Sequence, residues 1–177
     1  GTQEYSEFDR ADWAVHIALW ERKDADGKTS DEGSITQAAV ALPAYNMTLS
    51  THQLPQTPKP HDGKPRLVVS RTRATREAVM VAEALDCDVA RLGSAGAKTM
   101  AVVLGEVDIY VHAGGMYQWD SAAPIAVAAA AGLFTSRIDG TPLIYNRRDA
   151  WLPDLVVCQQ HLAQQVIDAL RAGRLGA

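Results

Sequence analysis

The side chains with chemical potential cluster where helices begin and strands end. Asp120, within Trp119-Asp120-Ser121-Ala122-Ala123, stands at the head of the Ala-rich run 121–131. A carboxylate there either caps free helix N–H groups or supplies oxygen to a divalent cation; spacing alone leaves both readings open. Gly93-Ser94-Ala95-Gly96-Ala97-Lys98 joins a strand to a helix and could offer an anion N–H groups, a hydroxyl and a cation. Its glycine spacing is not that of a Walker loop, and a tight turn with a solvated Lys98 explains it equally. Ser70-Arg71-Thr72-Arg73 carries two cations between a strand and a helix, where α/β sheets bind ligands or simply turn at the surface. His112 closes another strand, and Asp108 is expected to face solvent or cap a turn. Three of these groups sit at the ends of successive strands, as a shared pocket requires.

The elements that must position them read in two parts. Trp13–Trp20 is bulky and apolar, predicting a strand covered on both faces. Asp26-Gly27 marks a hairpin connection, and strands follow over Ile35–Leu42 and Tyr45–Thr51, broken at Pro43. This predicts an antiparallel meander over residues 1–60. The stretch His52–Pro65 holds four prolines and reads as a loop. From 61 to 177 strands and helices alternate, predicting a layered α/β domain. Its elements are strand Arg66–Ser70, helix Ala74–Leu85, strand Asp88–Leu92, helix Ala95–Leu104 capped by Ser94, and strand Val107–Val111. A Gly-containing turn, helix Ser121–Ala131 closed by Gly132, a hairpin at Asp139-Gly140, strand Leu155–Cys158 and helix His161–Arg171 complete it. Pro124 is expected only in a first helical turn.

Composition excludes several roles. The chain has 177 residues with a formal net charge of −4, which disfavours a nucleic-acid-coating protein. Its two cysteines, Cys87 and Cys158, lack zinc-ligand spacing and read as free buried thiols, consistent with a cytoplasmic protein. The run 122–131 is too short to cross a bilayer.

Taken together, GSAGAK, GEVDIYVHAGG, WDSAAP, IDGTPLIYN and LPDLVVC resemble the inositol monophosphatase superfamily. They are most similar to its actinobacterial CysQ-type branch of 3′-phosphoadenosine 5′-phosphate phosphatases. The resemblance implies an αβαβα sandwich and Mg2+-dependent, lithium-sensitive hydrolysis of a small phosphomonoester, here the 3′-phosphate of a nucleotide bisphosphate. Inositol-1-phosphate or fructose-1,6-bisphosphate hydrolysis, and a non-catalytic nucleotide-binding remnant, are the alternatives. It further implies that Asp120 holds metal, that the Gly1 and Thr2 N–H groups bind phosphate, and that the Thr2 hydroxyl positions the attacking water. Ser94 and Lys98 match nucleotide contacts, Arg73 a basic contact residue, and His112 a pocket-lining position.

The sequence begins inside the family's Asp-Pro-x-Asp-Gly-Thr motif, so the remaining carboxylate ligands are expected upstream. The chain alone is then expected to be inactive. Strand Trp13–Trp20 is expected to be covered by that upstream segment or by a second copy in a homodimer. Neither nucleic acid nor membrane is expected as a partner.

Overall fold

Alternation of apolar side chains explains the smaller of two sheets. The computed structural model describes residues 2–23, 33–54 and 62–175; the Asp26-Gly27 turn lies outside them, as does Gly1. Strands β1 (Val15–Arg22), β2 (Gly33–Leu42) and β3 (Met47–Ser50) pair antiparallel in that order. Side chains point to opposite faces with a period of two. Ala38, Val40, Leu42 and Leu49 are buried, while Val15, Ile17 and Leu19 are 50%, 71% and 48% exposed. The strand expected to be covered on both faces is therefore covered on one by the described residues. A short helix, α1 (Thr2–Ser6), precedes it and has no counterpart in the sequence reading.

The larger sheet follows the predicted alternation. It consists of β4 (Arg66–Ser70), β5 (Asp88–Leu92), β6 (Ile109–Tyr117), β7 (Phe134–Ser136) and β8 (Trp151–Cys158), in the order β5-β4-β6-β8-β7. β4 is parallel to β5 and β6, and β8 is antiparallel to β6 and β7. Between the strands run α2 (Arg76–Ala84), α3 (Ala95–Val103) and α4 (Gln118–Ala130), and α5 (Ala163–Leu175) follows β8.

Odd and even positions of the central strands feed different cores. Leu67, Val69, Ile109, Val111, Val156 and Cys158 pack with α2 and α5. Val68, Tyr110, Leu155 and Val157 pack with α3 and α4, and that cluster continues into Val40 of β2. The layers run helix, sheet, helix, sheet, which is four layers of the expected sandwich. The core strands read as near-continuous apolar runs because both sheet faces are covered.

Several local expectations fail for long-range reasons. The stretch read as a Gly turn after Val111 is instead β6 itself, continuing to Tyr117 through a bulge between Ala113 and Met116. Gly114 and Gly115 have φ of +101° and +86°, and a Cβ at Gly115 would overlap the Trp151 ring. α4 begins at Gln118 rather than Ser121, so Pro124 lies in the helix interior. It has no N–H to offer the Asp120 carbonyl four residues back.

Asp108 does not face solvent. It is buried and accepts from Arg66 Nε at 3.1 Å, Nη2 at 3.0 Å and the Arg66 backbone N–H at 2.7 Å. The Asp139-Gly140 turn exists, with Gly140 at φ +89°, but it does not join adjacent strand ends. β7 reaches β8 through the whole of residues 137–150. β8 also begins earlier than expected, and α5 starts after a 3-10 turn at Gln160–Leu162.

Candidate active site

The C-terminal ends of β4, β5 and β6 open on one side of the sheet, and most of the predicted residues meet there. Ser94, Lys98, His112 and Asp120 line a cavity of about 450 Å3, together with Glu4, His16, Ser70, Gly93 and Tyr110. Each side chain is delivered by a different local device.

Asp120 is the third residue of α4, not its N-cap. Its carboxylate accepts the Tyr117 N–H at a long 3.4 Å, its sole hydrogen bond among the described residues. The start of α4 is fixed by its buried first residue. The Gln118 side chain donates to Asp149 O at 2.9 Å and accepts from Asn146 N at 2.7 Å, while its own N–H donates to Ala150 O at 2.8 Å. Gln118 thus ties the Asp120-bearing turn to the loop before β8, a role nothing in the local sequence announces.

The Gly93–Lys98 loop is held from within. Ser94 caps α3, its Oγ accepting the Ala97 N–H at 3.5 Å as predicted. The Gly93 N–H, however, is taken by Asp12, and Lys98 Nζ donates to Gly93 O. Lys98 is buried rather than solvated, and burial pushes its pKa down to about 8 against the opposing pull of Glu4 and Asp12. Its ammonium lies 5.4 Å from the centre of the Tyr110 ring. The two glycines serve close approach: a Cβ on Gly93 would overlap Glu4, and one on Gly96 would overlap His16.

Asp12 went unnoticed in the sequence, yet it organises this wall. It bonds Arg71 and Arg10 as well as Gly93. Burial would raise its pKa, but the Arg71 hydrogen bond, the Gly93 N–H and both cations hold it below the usual carboxylate range. Arg71, one of the two cations flagged before α2, is therefore spent on structure.

His16 was also missed, although it is the one polar residue of the apolar stretch from Trp13 to Trp20. Its Nδ1 lies 3.5 Å from Trp119 O, and its Nε2 is buried without a hydrogen-bond partner among the described residues. His112 Nε2 lies 3.0 Å from Gly115 O, so the glycine bulge orients it. Burial depresses the pKa of both histidines.

Two expected residues stand apart. Arg73 is exposed and lines a neighbouring cleft of about 460 Å3 with Thr75, Arg76 and Glu77. That cleft shares Ser70, Tyr110 and His112 with the first. Thr2 opens α1, and its side chain lies outside the described residues. Asp120 is a suitable oxygen donor for a hard divalent cation. No cluster of three His, Cys, Asp or Glu side chains suited to a metal occurs among the described residues.

The layered α/β fold and its sheet-end cavity define a class that comparison with known proteins makes specific. Residues 1–174 match the inositol monophosphatase family, and the chain belongs to it. A 3′-phosphoadenosine 5′-phosphate phosphatase of Mycobacterium leprae is 44% identical over 174 residues, covering 97% of this chain and 64% of the relative. That of Mycobacterium tuberculosis is 44% identical over 173 residues, covering 96% and 63%. The chain thus spans about 64% of the length of the M. leprae relative.

Among solved structures, a Staphylococcal IMPase-II superimposes with a TM-score of 0.73 at 15% identity, covering 98% of this chain and 66% of that one. CysQ from Bacteroides thetaiotaomicron gives 0.61 at 18% identity, covering 72% and 59%. These likenesses bear out the layered α/β fold. No helix among the described residues is long and apolar enough to cross a membrane.

Proposed function

We propose that this chain forms the substrate-binding side of a Mg2+-dependent phosphatase that removes the 3′-phosphate of 3′-phosphoadenosine 5′-phosphate, leaving AMP. The observation that carries this reading is the meeting of Asp120, Lys98 and His112 in one cavity, beside a second cleft that carries Arg73 and Arg76. The 44% identity to the mycobacterial phosphatases supports the choice of substrate. Asp120 would hold the metal, with further oxygen donors needed from outside the described residues. When bound, the ion neutralises phosphoryl charge and lowers the pKa of water.

The chain's own residues divide the remaining work. Lys98 offers a point charge to a phosphate, while Arg73 offers a planar fork suited to a second one. Ser94 in the first cavity, and His112 where the two spaces meet, supply hydrogen bonds. The Gly1 and Thr2 amides would hold phosphoryl oxygens, and the Thr2 hydroxyl the attacking water. The open face of β1 calls for a cover, either further chain or a second copy. Cys158 is buried and Cys87 half-buried, both free, in keeping with a cytoplasmic enzyme.

The test is phosphate release by the chain completed to its relatives' length. Substrates are adenosine 3′,5′-bisphosphate, inositol 1-phosphate and fructose 1,6-bisphosphate, each in Mg2+ and in EDTA. The expected result is Mg2+-dependent release fastest from the nucleotide, with AMP as product. Release fastest from either sugar phosphate, or from none, overturns the reading.

A further inference from the structure

A lysine serves an anion as a point charge, so its value depends on where the ammonium is held. Lys98 is buried, and among the described residues its ammonium has one hydrogen bond, to Gly93 O. Two further N–H donors remain on that nitrogen, and the residue lines the cavity that holds Asp120. Whatever fixes Gly93 therefore fixes the cation.

Asp12 fixes Gly93. Its Oδ2 accepts both the Gly93 N–H, at 2.5 Å, and an N–H of the Arg71 guanidinium, while its Oδ1 accepts from Arg10 Nε at 3.2 Å. Two arginines would satisfy a buried carboxylate by themselves. The third bond goes to the residue whose carbonyl receives Lys98. Other contacts reinforce the grip. The Arg71 N–H donates to Leu92 O at 3.1 Å, carrying the pairing of β4 and β5 up to the loop. Glu4 packs against the bare Cα of Gly93, where a Cβ would overlap its side chain. Asp12 also acts through space: with Glu4 it opposes the loss of the Lys98 proton that burial favours.

We propose that Asp12 is a positioning residue for anion binding: by holding Gly93 at its N–H it places the Gly93 carbonyl, which in turn holds the Lys98 ammonium at the cavity wall. It reaches the ligand only through Lys98. A mere tether between the two sheets stabilises the fold whether or not Lys98 is present. A positioning residue loses its effect on the ligand once Lys98 is gone. The inference rests on the reading of this cavity as a phosphate site and adds the residue that sets its cation.

A double-substitution cycle tests it. The chain completed to its relatives' length carries Asp12→Ala, Lys98→Met or both. Phosphate release is measured from adenosine 3′,5′-bisphosphate, inositol 1-phosphate and fructose 1,6-bisphosphate, and the cycle is read on whichever the unaltered protein hydrolyses fastest. Asp12→Ala should raise KM about fivefold and change kcat by less than about twofold, yet add nothing to KM in the Lys98→Met background. Asp12→Asn should restore most of the loss, since its amide oxygen can accept from Gly93 and Arg71 in the place of Oδ2. No rise in KM with Asp12→Ala, or the same rise with Lys98 absent, overturns the proposal and leaves the proposed function standing. A sugar phosphate hydrolysed fastest overturns the substrate assignment alone, because the cycle is still read. Where nothing is hydrolysed, the proposed function falls and the cycle is read as affinity for inorganic phosphate by calorimetry. No phosphate binding by the unaltered protein then overturns both. Should Asp12→Ala fail to melt cooperatively, Arg71→Leu takes its place. It removes one bond that holds the carboxylate and should raise KM about threefold, again only with Lys98 present.

Discussion

Asp108 and the wall of the Lys98–Asp120 cavity are built on opposite principles. Asp108, just before β6, is saturated: three hydrogen bonds from Arg66 fill it, and the same guanidinium reaches Gly105 O at 2.8 Å. Along the cavity wall the polar groups are left short: among the described residues Asp120 has one long bond, and the Tyr110 hydroxyl and His16 Nε2 have none. Asp108 and the Tyr110 hydroxyl are both buried, so burial alone does not distinguish them. A buried polar group with all its partners contributes to the fold; one denied partners costs stability. Such a cost is expected where a ligand completes the set.

Substitutions in the two places should therefore fail in different ways. Asp120→Asn in the completed protein should lower turnover by about 10²- to 10³-fold. Its Tm should move by no more than about 2 °C, because little is bonded to that carboxylate. A large loss of stability there would erase the contrast. Asp108→Ala should do the reverse, costing about 3 kcal/mol in denaturant unfolding by stranding the Arg66 cation and its N–H. Per folded molecule, ligand binding should persist.

Lys98→Met gives the smallest and most diagnostic effect, because Lys98 has features of both: one internal bond and a place in the cavity wall. Burial brings its pKa to about 8 in the fold, against the ordinary lysine value of 10.5. The unfolded chain therefore binds more protons between those values, and stability rises with pH across that window. The substitution should flatten this rise. It should also weaken bisphosphate binding about tenfold at pH 7. Affinity of the unaltered chain should decline above pH 8, as the ammonium is lost, and that decline should vanish in the variant.

How much of this was legible follows from sequence separation. Ser94 as the cap of α3, β5 over Asp88–Leu92 and β4 over Arg66–Ser70 were read correctly, since each depends on neighbours a few residues away. The meeting of Ser94, Lys98, His112 and Asp120 was legible only as a convergence of strand ends. Asp12 could not be found this way, for its partners Arg71 and Gly93 lie 59 and 81 residues along the chain. The Gly114-Gly115 bulge looked like a turn because its cause, the Trp151 ring, belongs to β8. Asp120 as an N-cap was wrong by a few positions, because Gln118 starts the helix early through bonds to residues 146–150.

The sequence by itself determined the alternation of strands and helices, the family, and the loops on which chemistry falls. Periodicity and capping act within a few residues and can be read there. The tertiary structure alone decided which polar groups are satisfied. Pairing Asp108 and orphaning Tyr110 are outcomes of packing between strands distant in the chain, where excluded water makes each missing partner count.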